Sequence, residues 1–138
     1  MRGLTGDELL GLPVRLRGIK LGRTVDVLLH PTAPQAVGLD VLCGDETHRF
    51  LPFSAASLAD GAVEPGSPLV LLDLEPGSFY RQEARALSQL RGVDVGPGAL
   101  RDIVLGDDWT IAELIVEDGG GDRRIPLDGL VLPRGTRR

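Results

Sequence analysis

A mainly β fold, two small β-barrels in tandem joined by one α-helix, is what the sequence predicts, and three features of its 138 residues carry that expectation. Short apolar runs alternate with period two, and the 19 Gly and 10 Pro fall between these runs as turn punctuation rather than in one block. The runs of the first half recur in order in the second, with Asp26 and Asp102 76 apart, Leu39 and Leu114 75 apart, and Pro52 and Pro126 74 apart. An offset that drifts by one residue per loop is what two copies of one β-module show when length changes are confined to turns. Between the copies, residues 78–91 change to a helical period, with Tyr80, Ala84, Leu87 and Leu90 at the required spacing and Gly92 to stop them.

The elements follow in order. Thr5-Gly6-Asp7-Glu8 has the spacing of a capping box, with Gly11 placed to end the single helical turn it starts. Pro13 excludes further helix, and residues 14–16 and 24–29 alternate as half-buried strands, separated by a turn bracketed by Gly18 and Gly22. Pro31 and Pro34 make residues 30–35 a loop, because proline has no N–H to give a ladder. Residues 36–42 and 48–53 form a hairpin about Gly44-Asp45-Glu46, and Pro52 argues for an edge or strand end. A helical turn is expected at 54–57, a turn at 63–66 and a buried strand at 69–74. In the second copy, strands are expected at 93–95, 100–105, 109–117 and 123–127, with one more short strand before Pro133. The division is therefore 1–76 for the first module, 77–92 for the linker helix and 93–138 for a shorter second module with a basic tail. Modules of this size are marginal alone, and a shared seam lets each hide apolar surface that it cannot cover by itself.

Composition narrows the function. A net charge of −5 and a single lysine, Lys20, argue against a nucleic-acid footprint over the whole surface. Cys43 is the only cysteine, which excludes an internal disulfide and fits a reducing cytoplasm. No apolar run approaches the length needed to cross a bilayer and nothing has the form of a signal peptide, so no membrane span is expected.

Candidate chemistry is sparse. Cys43 and His48 flank one turn, but two ligands do not close a zinc site, and His30 belongs to another loop. Asp118-Gly119-Gly120-Gly121-Asp122 lacks the alternating ligands of a calcium loop and reads as a hairpin tip, and the flanks of Gly96-Pro97-Gly98 are wrong for a phosphate cradle. Asp26 and Asp102 are expected on the rim; turned inward, they would need partners such as Arg49 or Arg124. No catalytic, cofactor-binding or metal residue is assigned. Phe50, Phe53, Phe79, Tyr80 and Trp109 are expected in the core or between modules, and form a docking patch if exposed together. Arg123 and Arg124, with Arg134, Arg137 and Arg138 of the tail, are the cations available to a polyanion.

A strand ending on Val25-Asp26-Val27-Leu28, a Gly-bearing strand Ala36-Val37-Gly38-Leu39-Asp40-Val41, and an arginine-containing strand closing on Leu51-Pro52-Phe53 or Ile125-Pro126-Leu127 resemble the PRC-barrel family. That small β-barrel occurs in the H subunit of photosynthetic reaction centres, in a ribosome maturation factor and in many stand-alone prokaryotic proteins. The resemblance covers roughly 8–74 and 87–132, and its motifs bring no catalytic residue with them. It implies a non-enzymatic adaptor docked on a larger protein assembly. The alternatives are an RNA- or ribosome-associated factor and a small-molecule binder in the cleft between barrels; a homodimer is compatible with each. The membrane helix of the reaction-centre member and the extra N-terminal domain of the ribosome factor are not expected within these 138 residues.

Overall fold

The computed structural model describes residues 4–59, 61–67, 70–73, 84–106 and 108–127. Twelve strands dominate it: β1 (Leu4–Thr5), β2 (Pro13–Leu16), β3 (Ile19–Leu29), β4 (Ala36–Cys43), β5 (His48–Pro52), β6 (Ala56–Ala59), β7 (Ala62–Pro65), β8 (Leu72–Asp73), β9 (Arg85–Ala86), β10 (Ala99–Leu105), β11 (Ile111–Glu117) and β12 (Asp122–Pro126). Among the described residues the helices are single turns, α1 (Gly6–Leu9) and α2 (Leu87–Leu90), with a 3-10 turn at Phe53–Ala55. One sheet has the order β6-β7-β2-β3-β4-β5-β8, with β9 added to the far end of β3, and it curls as a half-barrel. The other has the order β1-β10-β11-β12.

The first strands of the two halves are exchanged. β1 does not join its sequence neighbours; it pairs with β10 of the second half, Leu4 opposite Leu105 and Thr5 opposite Val104. In return β9 pairs with β3 of the first half, Leu29 opposite Arg85 and Leu28 opposite Ala86. The ladders match in detail too. The β3–β4 ladder slips between Thr24 and Asp26 and again between Leu28 and Leu29; the β10–β11 ladder slips between Leu100 and Asp102 and between Val104 and Leu105. A bulge bends its strand and re-aims the next side chain, here an aspartate in both strands. Gly22 and Gly98 explain a further likeness: a Cβ on either would collide with the facing strand, at the carbonyl of Leu42 or of Glu117.

A continuous core runs through both halves, from Val27, Leu29, Leu39 and Leu51 of the first to Ile103, Leu105, Leu114 and Ile125 of the second. A smaller cluster of Leu28, Phe50 and Ala84 covers the outer face of the first half. At the ladder position of Phe50, two residues before the strand's proline, the second half has the charged Arg124, facing Ile115.

The helix expected over 78–91 is corrected. Of its described residues only Leu87–Leu90 is helical, and Arg85–Ala86 is strand; residues 78–83 lie outside the described residues. Pairing with the open edge of β3 outweighs the helical period, as tertiary contacts commonly outweigh propensity in short segments. The helical turn expected at 54–57 is a 3-10 turn followed by β6, and the turn expected at 63–66 belongs to β7, which completes a hairpin with β6. Of the strand expected at 69–74, Leu72–Asp73 is observed, and at 93–95 only an isolated bridge, Asp94 with Ala99, forms. The strand before Pro133 and the tail at 133–138 lie outside the described residues.

Candidate interaction surface and the seam beneath it

The two matched aspartates are at the seam, not on the rim. Asp102 is 4% exposed, and its carboxylate accepts the N–H of Asp7 (2.9 Å) and its neighbour Ile103 (2.7 Å). Asp7 is the second residue of α1, so a second-half side chain satisfies one of the free donors that open a first-half helix. The converse holds at Asp26, which accepts the N–H (3.1 Å) and hydroxyl (2.5 Å) of Ser88, the second residue of α2, and the N–H of Val27 (2.9 Å). Thr5 supplies α1 with the expected capping box through Glu8. Ala86, at the same place in α2, has no polar side chain, and Asp26 does the capping from across the seam. Arg91 closes the Asp102 side, 2.6 Å from Asp7 and 3.7 Å from Asp102. Arg49 and Arg124, the partners expected from sequence, instead face Asp45 and Glu113.

Burial pushes the Asp26 carboxyl above its ordinary value; the Ser88 and Val27 hydrogen bonds oppose this and the charge of Asp40 adds to it. Asp40 lies opposite Asp26 across the β3–β4 ladder and is itself buried, with His48 Nδ1 at 2.8 Å from its Oδ1. Thr24, also buried, ties α1 down by donating to the Leu9 carbonyl and accepting the Leu12 N–H.

A second crossing joins the loops before β4 and β11. Ala36 N–H donates to the Trp109 carbonyl and Ile111 N–H to the Pro34 carbonyl, both at 2.9 Å, which makes Gln35 and Thr110 an antiparallel bridge. Trp109, held at a φ of 66°, stacks on Phe53 with ring centroids 4.0 Å apart and planes 8° from parallel. The stack spans the halves and leaves Trp109 partly exposed.

The sequence-derived interaction residues therefore separate. Phe50 and Phe53 are buried, Trp109 is an inter-half contact, and Phe79 and Tyr80 lie outside the described residues, so Phe50 and Phe53 are not part of an exposed aromatic patch. Arg123 and Arg124 are exposed but engaged, Arg123 with Asp118 at 3.0 Å and Arg124 with Glu113 at 3.7 Å. Arg134, Arg137 and Arg138 lie outside the described residues. Cys43 borders two shallow hollows open to solvent, and burial raises its thiol pKa. Among the described residues no three His, Cys, Asp or Glu side chains converge as metal ligands, and no helix is long and apolar enough to cross a membrane.

Sequence reasoning missed one group. Arg15, Arg17, Lys20 and Arg23 are all exposed on the β2–β3 hairpin. Four cations within nine residues of a chain whose net charge is −5 was the signal that could have found them. No protein-family model matches the chain, and no curated protein matches it.

Proposed function

We propose that the chain is a duplicated, PRC-barrel-like pair of β-modules acting as a non-enzymatic adaptor in the cytoplasm, docking on a larger protein assembly. The observation that carries this reading is the use made of its buried polar groups. Asp26, Asp102 and Thr24 are engaged in holding one half to the other or a helix to its sheet, which makes the body a rigid mount. Duplication accounts for the matched bulges, the matched aspartates and the exchanged first strands by one event. The docking face is the outer face of β11 and β12, where Ala112, partly exposed Ile115 and the charged pair Glu113 and Arg124 are not covered by a counterpart of Phe50 and Ala84. The nucleic-acid alternative has less support, since Arg123 and Arg124 already face carboxylates.

A photoreactive residue placed at Ala112 or Ile115 of the full chain, with Arg15 as the comparison site, tests the reading in cells. It expects one protein crosslinked from both β11 sites, and binding of that purified protein weakened by Ile115→Asp. Crosslinks spread evenly over all three sites, or a purified candidate indifferent to Ile115→Asp, would overturn it.

A further inference from the structure

The β2–β3 hairpin projects. β7 pairs with β2 only at Val14, and β4 leaves β3 at Gly22, so the rungs Arg15 with Lys20 and Leu16 with Ile19 pair only with each other. Its two faces are unlike. Arg15, Lys20 and Arg23 share one, because their ladder partners alternate with the Val14 rung; Leu16 and Ile19 share the other, and Ile19 is 66% exposed.

Three features of this hairpin do nothing for the fold. Among the described residues, Arg49, Arg91, Arg101, Arg123 and Arg124 each face a carboxylate and Arg85 donates to the His30 and Ala33 carbonyls. Among the described residues, no carboxylate lies within ion-pair distance of Arg15, Arg17, Lys20 or Arg23. Arg15 and Lys20 are direct cross-strand partners, and like charges there repel. Arg17 is at the first position of a two-residue turn with φ 52°, followed by Gly18 at φ 82°. That turn favours Asn or Asp before Gly, and an arginine there is strained. Strain held in place at one exposed cation is the mark of a position kept for contact with something else.

We infer that this hairpin is a docking element for an anionic phospholipid surface, Ile19 entering the headgroup boundary, Arg15, Arg17 and Lys20 meeting lipid phosphates around it, and Arg23 at the base of the hairpin adding its positive charge. A planar surface suits a projecting tip. The rest of the chain carries a net −9 once the four cations are set aside, and a tip-on contact keeps that acidic body away from the charged plane. A nucleic acid would use the basic face and leave Ile19 in water, and the hairpin has no aromatic side chain on which a base could stack. The inference is independent of the adaptor reading, which uses the opposite half of the molecule.

Flotation of the full chain with phosphatidylcholine vesicles, with and without phosphatidylglycerol, tests it. Binding is expected only with the anionic lipid and is expected to fall as salt is added. Lys20→Gln should weaken it about fivefold, the change for one cation near such a surface, and Ile19→Ser by about tenfold or more. Arg17→Asn is the decisive variant: it should weaken binding about fivefold while its urea midpoint stays level or rises, because the new residue suits the turn. Absence of vesicle binding would overturn the inference, as would equal binding to uncharged vesicles, or Arg17→Asn and Ile19→Ser floating like the parent. Retention on an RNA duplex with no vesicle binding would also overturn it and assign the cations to a nucleic acid.

Discussion

Replacing Asp102 with Ala removes one carboxylate from each of two jobs, and its cost can be worked from the contacts. The Ile103 N–H, 2.7 Å from Asp102 and on a fully buried residue, loses its side-chain acceptor. The Asp7 N–H, 2.9 Å away and on an exposed residue, can turn to solvent. A buried donor left unmade costs about 1–3 kcal/mol and a lost helix cap about 1 kcal/mol, so the variant should lose about 3 kcal/mol. A domain of this size is stable by roughly 5–15 kcal/mol and shifts by about 2–4 °C per kcal/mol, which puts the fall in Tm near 10 °C. Trp109, the sole tryptophan, is stacked on Phe53 across the halves, so its fluorescence during urea unfolding reads the seam itself. One transition, coincident with far-UV circular dichroism, is expected for the parent. A loss below about 0.5 kcal/mol, within the range of ordinary surface substitutions, would refute the claim that Asp102 fastens α1 to the second half. Separate transitions for the two signals would refute the shared core.

Three further outcomes follow from the same geometry. Asp26 has its folded-state pKa raised above 3.8, chiefly by burial, so its contribution is fully present below that value and is lost as pH rises through the raised one. Asp26→Asn should therefore gain on the parent in paired urea midpoints as pH is raised from the acid side toward neutrality, and a constant difference would contradict the assignment. A Cβ on Gly38 would sit 2.5 Å from the Leu51 carbonyl oxygen and from Phe50, so Gly38→Ala should cost about 1–3 kcal/mol in the same assay, whereas Gly44→Ala, with open space around it, should cost almost nothing. Phe53→Ala removes a buried ring and the partner of Trp109; a loss of about 3–5 kcal/mol with a changed native emission spectrum is expected, and an unchanged spectrum would deny the stack.

Where residues 36–42 and 100–105 alternate and end in glycine or proline, the strands were readable almost to the residue, as β4 and β10 show. Thr5 with Glu8 announced α1 by a local rule that needs no tertiary context. Arg85–Ala86 was unreadable for the opposite reason: its conformation is set by the free edge of Leu28 and Leu29, far away in sequence, while its own letters favour helix. The spacing of Asp26 and Asp102 drew them together as a pair but gave no sign that they sit at the seam, because their partners there are mostly backbone N–H groups, which every sequence has everywhere. Sequence could group aromatics as a patch but not see that Phe50 lies under Ala84 while Trp109 lies on Phe53. The cations of β2 and β3 became a group only when the register set Arg15 opposite Lys20.

The exchange of first strands constrains the order in which the protein can be made. Leu4 and Thr5 are synthesised well before their ladder partners Leu105 and Val104, about 100 residues later. At translation speeds of about 5–20 residues per second, the amino-terminal turn waits several seconds for its place, with Leu9 still lacking its final surroundings. The first sheet has all its strands once β9 is made, whereas the opening strand must wait for the second sheet, and a nascent chain stalled before β10 would expose both the unpaired opening strand and the core side of the first sheet.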